Sequence, residues 1–477
     1  MDLSLSAPNS NIVTSGSPYR VVLRLAMPTV LAMLAQSAVN EMDIIFLSWL
    51  PQPESSNAQA ALLPSFILLW MFGGSLSAIS VGTQTIAARR FAQNKPHDAG
   101  AVLLNSMLFA FGSSVALTII AYLLLPSALG LLIKVPEVRS AAERYLAWRL
   151  LGVVSMVTTF SLKAFFDGIG KTHVHMVASV VMNVVNVMLC LVLIFGRFGM
   201  PRLGIGGAGV AGFLSSWLGL LIMFGWVLLP RYRRAHTPFK LAGLSRRIVG
   251  DILRLSVPSA VATLAVMTGF ALFSMIVSQL DHVTTVATSP LASTHTEAVN
   301  SAATTVIVGI LKLTFTACLA FGTSTATLVS QSLGEGDGGK AERFGWVSVS
   351  LGLMIFGVVG LCEGGLFTRS ILSLVTRSDA VFHAALVPLR MMGFATPLIA
   401  TGMILTQALF GAGNTRFVMI VELCLHFCCL VPLAWLLGVQ LHLGLVGIWS
   451  AALAYVVLLT TAMVLKFRSG DWKSIKV

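Results

Sequence analysis

LRLAMPTVLAMLA, residues 23–35, and LRLSVPSAVATLA, residues 253–265, are one phrase written twice. They align without a gap at an offset of 230, with three Leu, an Arg, a Pro and two Ala identical. The register continues: Gly82-Thr83-Gln84-Thr85 matches Gly322-Thr323-Ser324-Thr325, Arg149 and Gly152 match Arg390 and Gly393, GIGKT (168–172) matches GAGNT (411–415), and LGIGGAGVA (203–211) matches LGLVGIWSA (443–451). Self-similarity at a fixed long period marks a repeated structural unit. The chain is two tandem copies of one unit.

Composition says what solvent the unit lives in. With 56% hydrophobic and 10% charged residues and a mean hydropathy of +0.88, the 477-residue chain has too little polar surface for a soluble fold. It reads as an integral membrane protein. Stretches near the 20 or so residues that cross a bilayer lie at 20–50, 60–89, 99–132, 138–167, 174–197 and 206–230, then at 250–280, 297–332, 343–368, 381–411, 417–438 and 444–467. The expected fold is all-α: twelve transmembrane helices in two pseudosymmetric six-helix lobes around a central cavity. The first apolar run lacks the cationic flank and cleavage site of a signal peptide. The six cysteines all fall in apolar runs and form no disulfide framework.

The most basic segment, RYRRAHTPFKLAGLSRR (231–247), separates the copies. The domains are therefore read as a tail (1–20), a first lobe (21–230), a linker (231–249), a second lobe (250–467) and a second tail (468–477). Lys and Arg gather on the side of Arg89, Arg90, Lys171, the linker, Lys340 and Lys466, which the positive-inside rule makes cytoplasmic, together with both termini. That distribution, facing anionic lipid, accounts for the net charge of +13, and no basic groove with interleaved aromatics points to nucleic acid. Six spans per copy start each copy on the same side, so the repeats are parallel, a build that binds substrate between the halves.

These residues resemble the multidrug and toxic compound extrusion (MATE) transporters. The resemblance rests on LRLAMP opening the first helix, MDIIFLSWL (42–50) closing it, YLAWRLLG (145–152), FDGIGKT (166–172) followed by Asn183, LGIGGAGVA, GTSTATLVSQSLGEGD (322–337) and ALFGAGNT (408–415). It covers almost the whole chain, and it implies an inner-membrane antiporter, expected as a monomer, that exports organic, often cationic compounds in exchange for H⁺ or Na⁺ and needs no other cofactor.

Two acids, Glu41 and Asp43, interrupt the first apolar run. At about 100° per residue, Thr29, Gln36, Asn40 and Asp43 share one polar stripe, while Glu41 lies about 200° from Asp43. A polar stripe on a membrane helix is tolerated where it faces water or the bundle interior, so Asp43 is the candidate coupling acid, and the resemblance points to the same residue. The fifth helix is expected to supply its partner through Asn183, with Asn186, Tyr145 and Arg149 as further first-lobe candidates. Several family members carry an acid four residues after that asparagine, where this chain has Val187. A half-built oxygen cage suits a proton better than Na⁺, so H⁺ is expected.

In the second lobe Val266, Phe270 and Phe273 stand at the positions of Gln36, Asn40 and Asp43, and no acid occurs between Asp251 and Asp281. Phe270 and Phe273, with Trp70, Met71 and Phe72, are read as an apolar wall for the substrate. GIGKT lacks the first glycine of a phosphate loop and follows a helix. Cys424, His426, Cys428 and Cys429 point apart along a helix and are read as packing residues, and Glu363 and Glu422 as isolated acids. Segment 281–297 is read as an external loop. A lipid flippase is the alternative, kept open by the intramembrane bases Arg149, Lys163, Lys312 and Arg390; no constellation supports an enzyme.

Overall fold

A computed structural model describes residues 17–133, 135–287, 299–376 and 378–477. Among these described residues, counting one bent pair as a single span, there are twelve helical spans: α1 (Pro18–Ser48), α2 (Glu54–Ala92), α3 (Pro96–Leu132), α4, α5 (His173–Leu193), α6 (Ile205–Leu228), α7 (Arg246–Ala287), α8 (Val299–Gly334), α9 (Gly338–Leu366), α10 (Asp379–Gly411), α11 (Thr415–Gln440) and α12 (Gly444–Ser469). Span α4 is a pair, Pro136–Arg149 and Leu151–Gly168, bent by 44°. Helices are what such apolar runs must form, because lipid offers no partner for a free backbone N–H or C=O. Pro18, Pro96 and Pro136 each sit in the first turn of their helix, where a missing N–H costs nothing.

The repeated phrases have physical reasons. Gly170 and Gly413, equivalent residues of GIGKT and GAGNT, turn the chain at φ of +73° and +84°, a region that L side chains rarely adopt. Along α6, Gly207 and Gly209 lie against the Leu193 and Tyr145 carbonyls, as Gly447 of α12 lies against the Leu437 carbonyl. Small residues there let the backbones approach.

One hydrophobic cluster fills the first lobe and another the outer part of the second. A third joins Val21, Val22, Leu25 and Ala26 to α8, α9 and α10. Helix α1 thus begins against the second half and ends, through Phe46 and Leu47, inside the first.

The halves also meet through polar groups at the end that carries the linker. Gln84 Nε2 donates to Thr323 O (2.9 Å) and Thr327 Oγ1 (2.8 Å), Ser330 Oγ to Thr85 O (2.8 Å), and Gln331 Nε2 to Gly168 O (2.7 Å). The two copies of the Gly-Thr-x-Thr phrase therefore face each other across the seam. Arg89 closes it, donating from Nη2 to Ala412 O (2.8 Å) and from Nη1 to Ile475 O (2.7 Å) of the C-terminal tail. That tail is anchored by Trp472, fully buried and stacked on Phe467.

The reading of 281–297 as a loop is corrected in part. Helix α7 continues to Ala287, and Asp281 accepts the Asn300 and Ser301 N–H groups at the start of α8 (2.9 and 3.0 Å). Residues 288–298 lie outside the described residues.

Candidate functional site

Asp43 is buried, 4% exposed, near the end of α1. Its carboxylate meets the fifth helix inside the first lobe. Its partner there is Cys190, not Asn183: the Cys190 thiol donates to Asp43 Oδ1 at 3.5 Å. Cys190 stands one helical turn beyond Asn186, on the face that also carries Asn183. The same sulfur lies 3.9 Å from Asn186 Oδ1, and Asn186 Nδ2 donates to Ser215 Oγ of α6 at 3.0 Å. Asp43, Cys190, Asn186 and Ser215 thus form a chain of polar contacts across three helices.

Arg149, at the bend of α4, lies within electrostatic reach of both Asp43 and Tyr145. Gly212 of α6 makes room for its guanidinium, which a side chain there would strike. Tyr145 is fully buried beside it. Asn183 is buried too, and neither its amide nitrogen nor its oxygen has a hydrogen-bond partner among the described residues. A buried amide in that condition costs about 1–3 kcal/mol. Gln36 is half-buried, and Thr29, farther down the stripe, accepts from Ser324 Oγ of the second half at 3.4 Å. The side chains of Asn40 and Glu41 lie outside the described residues.

The expected apolar wall divides. Trp70 and Met71 are 58% and 50% exposed, in a π-helical turn of α2 (Trp70–Gly74), with Phe72 half-buried beside them. Phe270 is 42% exposed. Phe273 is no wall residue: it is 2% exposed, behind Phe270 and edge-on to Trp449 at 5.4 Å, because α7 presents it to α12.

Glu363 and Glu422, read as isolated acids, have partners, and so does the intramembrane base Lys163. Lys163 donates to Asp167 Oδ2 at 2.7 Å in α4. Glu363, at a π-turn of α9, accepts from Thr314 Oγ1 (2.6 Å) and Thr396 Oγ1 (3.5 Å), and Glu422 accepts from Tyr455 (2.8 Å).

Two halves of six spans, a seam at one end and a buried acid in the first helix set the comparison with known proteins. The MatE family profile matches residues 28–192 and 258–436. The chain belongs to the MATE family. MATE proteins are transporters, not enzymes. Among relatives, the probable multidrug resistance protein NorM of Thermotoga maritima is 24% identical, with 95% of this chain and 92% of that one covered. The NorM of Bradyrhizobium diazoefficiens is 26% identical over 94% and 92%. A solved multidrug resistance MATE transporter in an outward-facing conformation shares the fold at a TM-score of 0.83, 23% identity and 97% coverage of both chains. So does a Pyrococcus furiosus transporter (0.83, 22%, 97% of both), whose description assigns it a binding pocket of reversed polarity and suggests a different function. MATE membership makes the chain a multi-pass, two-lobed membrane transporter.

Proposed function

We propose that this MATE protein exports organic, cationic or lipophilic compounds across the cell membrane in exchange for inward protons, with Asp43 carrying the proton. The observation that carries this reading is the buried polar chain from Asp43 through Cys190 and Asn186 to Ser215. A proton needs one basic oxygen. A metal cation needs a shell of oxygens, which hard ions demand. Asp43 instead lies against a thiol hydrogen and within reach of the charge of Arg149; that charge opposes either cation, but a proton still needs only the one carboxylate oxygen whereas Na⁺ needs a shell of them.

The linker end is cytoplasmic by the positive-inside rule, so the seam of Gln84, Arg89 and Gln331 closes the inner side. In an alternating-access cycle such a seam is the closed inner gate. Trp70, Met71 and Phe270 offer apolar, deformable surface to varied substrates, and the NorM relatives support drug export. The flippase alternative loses ground, because Lys163 is paired with Asp167 and Arg149 lies within electrostatic reach of Asp43, leaving those bases less able to hold a phosphate headgroup.

The test is expression in cells stripped of their own pumps. Accumulation of a fluorescent lipophilic cation falls and tolerance rises if the reading holds; unchanged accumulation across a broad cation panel, with the protein verified in the membrane, contradicts it.

A further inference from the structure

We infer that Glu422, His426 and Tyr455 form a second proton-binding site, in the second lobe, at the positions that the internal repeat assigns to the Asn183–Asn186–Ser215 region of the first. This rests on the antiporter reading above for its use in transport, but not for its existence. When Gly168 is laid on Gly411, Ser179, Asn183 and Asn186 fall on Glu422, His426 and Cys429; when Leu203 is laid on Leu443, Ser215 falls on Tyr455. The first lobe bridges α5 and α6 there through Asn186 and Ser215, and the second lobe bridges α11 and α12 through Glu422 and Tyr455. What the first lobe builds with amides and a hydroxyl, the second builds with groups that titrate.

The geometry is close. Tyr455 donates its O–H to Glu422 Oε2 at 2.8 Å, and His426 Nδ1 lies 3.4 Å from the same oxygen and 2.8 Å from the Glu422 carbonyl. The His426 and Tyr455 rings are 4.6 Å apart. Glu422 is 7% and His426 3% exposed, and Gly269 of α7 makes room for the imidazole. His426 sits in a π-helical turn, Leu425–Leu430, a local irregularity often found at functional sites. An ionisable cluster at membrane depth is expensive to bury, which makes it a mark of function.

Other titratable groups are sparse around it. On its own helix Cys429 lies within electrostatic reach of Tyr455. Helix α7 has no ionisable side chain between Arg254 and Asp281, and α10 has none after Arg390. On α12 the next is Lys466, against the Phe417 ring.

The test is infrared difference spectroscopy of the full-length protein in liposomes, titrated between about pH 5 and pH 8. Asp43→Asn protein retains titrating carboxylic C=O absorption, and Glu422→Gln in that background removes a component of it that Glu363→Gln leaves in place. Tyr455→Phe, which keeps the ring, shifts the band frequency, and His426→Gln shifts its midpoint. A spectrum unchanged by Glu422→Gln, or the absence of any titrating band in Asp43→Asn protein, overturns the site; the second outcome decides the matter even if Glu422→Gln does not fold. In transport, Glu422→Gln lowers the number of protons moved per substrate. Failure of drug export by the wild type would sink the antiporter reading while leaving the spectroscopic result standing.

Discussion

The Cys190 thiol reaches Asp43 Oδ1 at 3.5 Å, tying α5 to the acid of α1. A serine at 190 keeps a donor there and an alanine removes it. Cys190→Ala is expected to slow proton-driven efflux several-fold and to move its pH profile by up to about one unit, since a net hydrogen bond is worth about 0.5–1.5 kcal/mol and 1.36 kcal/mol is one unit. Cys190→Ser should stay near wild type. Efflux rates across a pH series check this, and equal behaviour of the two variants counts against the contact.

Asn183 makes the opposite case. Its amide is buried without a partner, so Asn183→Leu should leave thermal stability unchanged or raise it by about 1–3 kcal/mol. Efflux should fall, but less than in Asp43→Asn. A strongly destabilised Asn183→Leu protein would mean that the amide is bonded in the membrane.

Arg89 holds two carbonyls of the second half at the seam, those of Ala412 and Ile475. Hydrogen bonds from a charged group are worth about 1.5–3 kcal/mol each, so Arg89→Gln should shift the population toward an inward-open form. A cysteine at Thr323 should then react faster with an impermeant maleimide in inside-out vesicles, read at that peptide by mass spectrometry. An unchanged rate would show that the seam is held elsewhere.

Phe270 and Phe273 should separate by readout. Phe273→Ala removes a buried ring and is expected to cost about 3–5 kcal/mol of stability. Phe270→Ala, at an exposed position, should spare stability and alter which cations are exported. Thermal melts and a substrate panel on both variants test the division.

Much of the fold was legible because bilayer and repeat constrain it together, through twelve apolar runs and matched phrases such as GIGKT and GAGNT; that both phrases are left-handed turns came from the structure. The stripe put Asp43 on an inward-facing side of α1, and it is buried there; its coupling role is the proposal made above. Cys190 was not singled out, although its spacing of four from Asn186 and seven from Asn183 puts it on the same face; a thiol in an apolar run looks like packing. His426 was weighed against Cys424, two residues away and on another face, while Glu422, at the facing i−4 position, was read as isolated. Phe273 was misplaced because the repeat sets an angular position but not which neighbouring helix covers it. The Arg89 contacts lie beyond sequence reasoning, since backbone carbonyls more than 300 residues away leave no pattern in residue type.

The coupling claim is tested most directly by efflux of a lipophilic cation from proteoliposomes under one gradient at a time. Wild-type protein should respond to a pH gradient at equal Na⁺, hardly at all to a Na⁺ gradient at equal pH, and Asp43→Asn protein, folded by thermal melt, to neither. Efflux driven by the Na⁺ gradient alone, or pH-driven efflux that survives Asp43→Asn, would contradict proton coupling through Asp43.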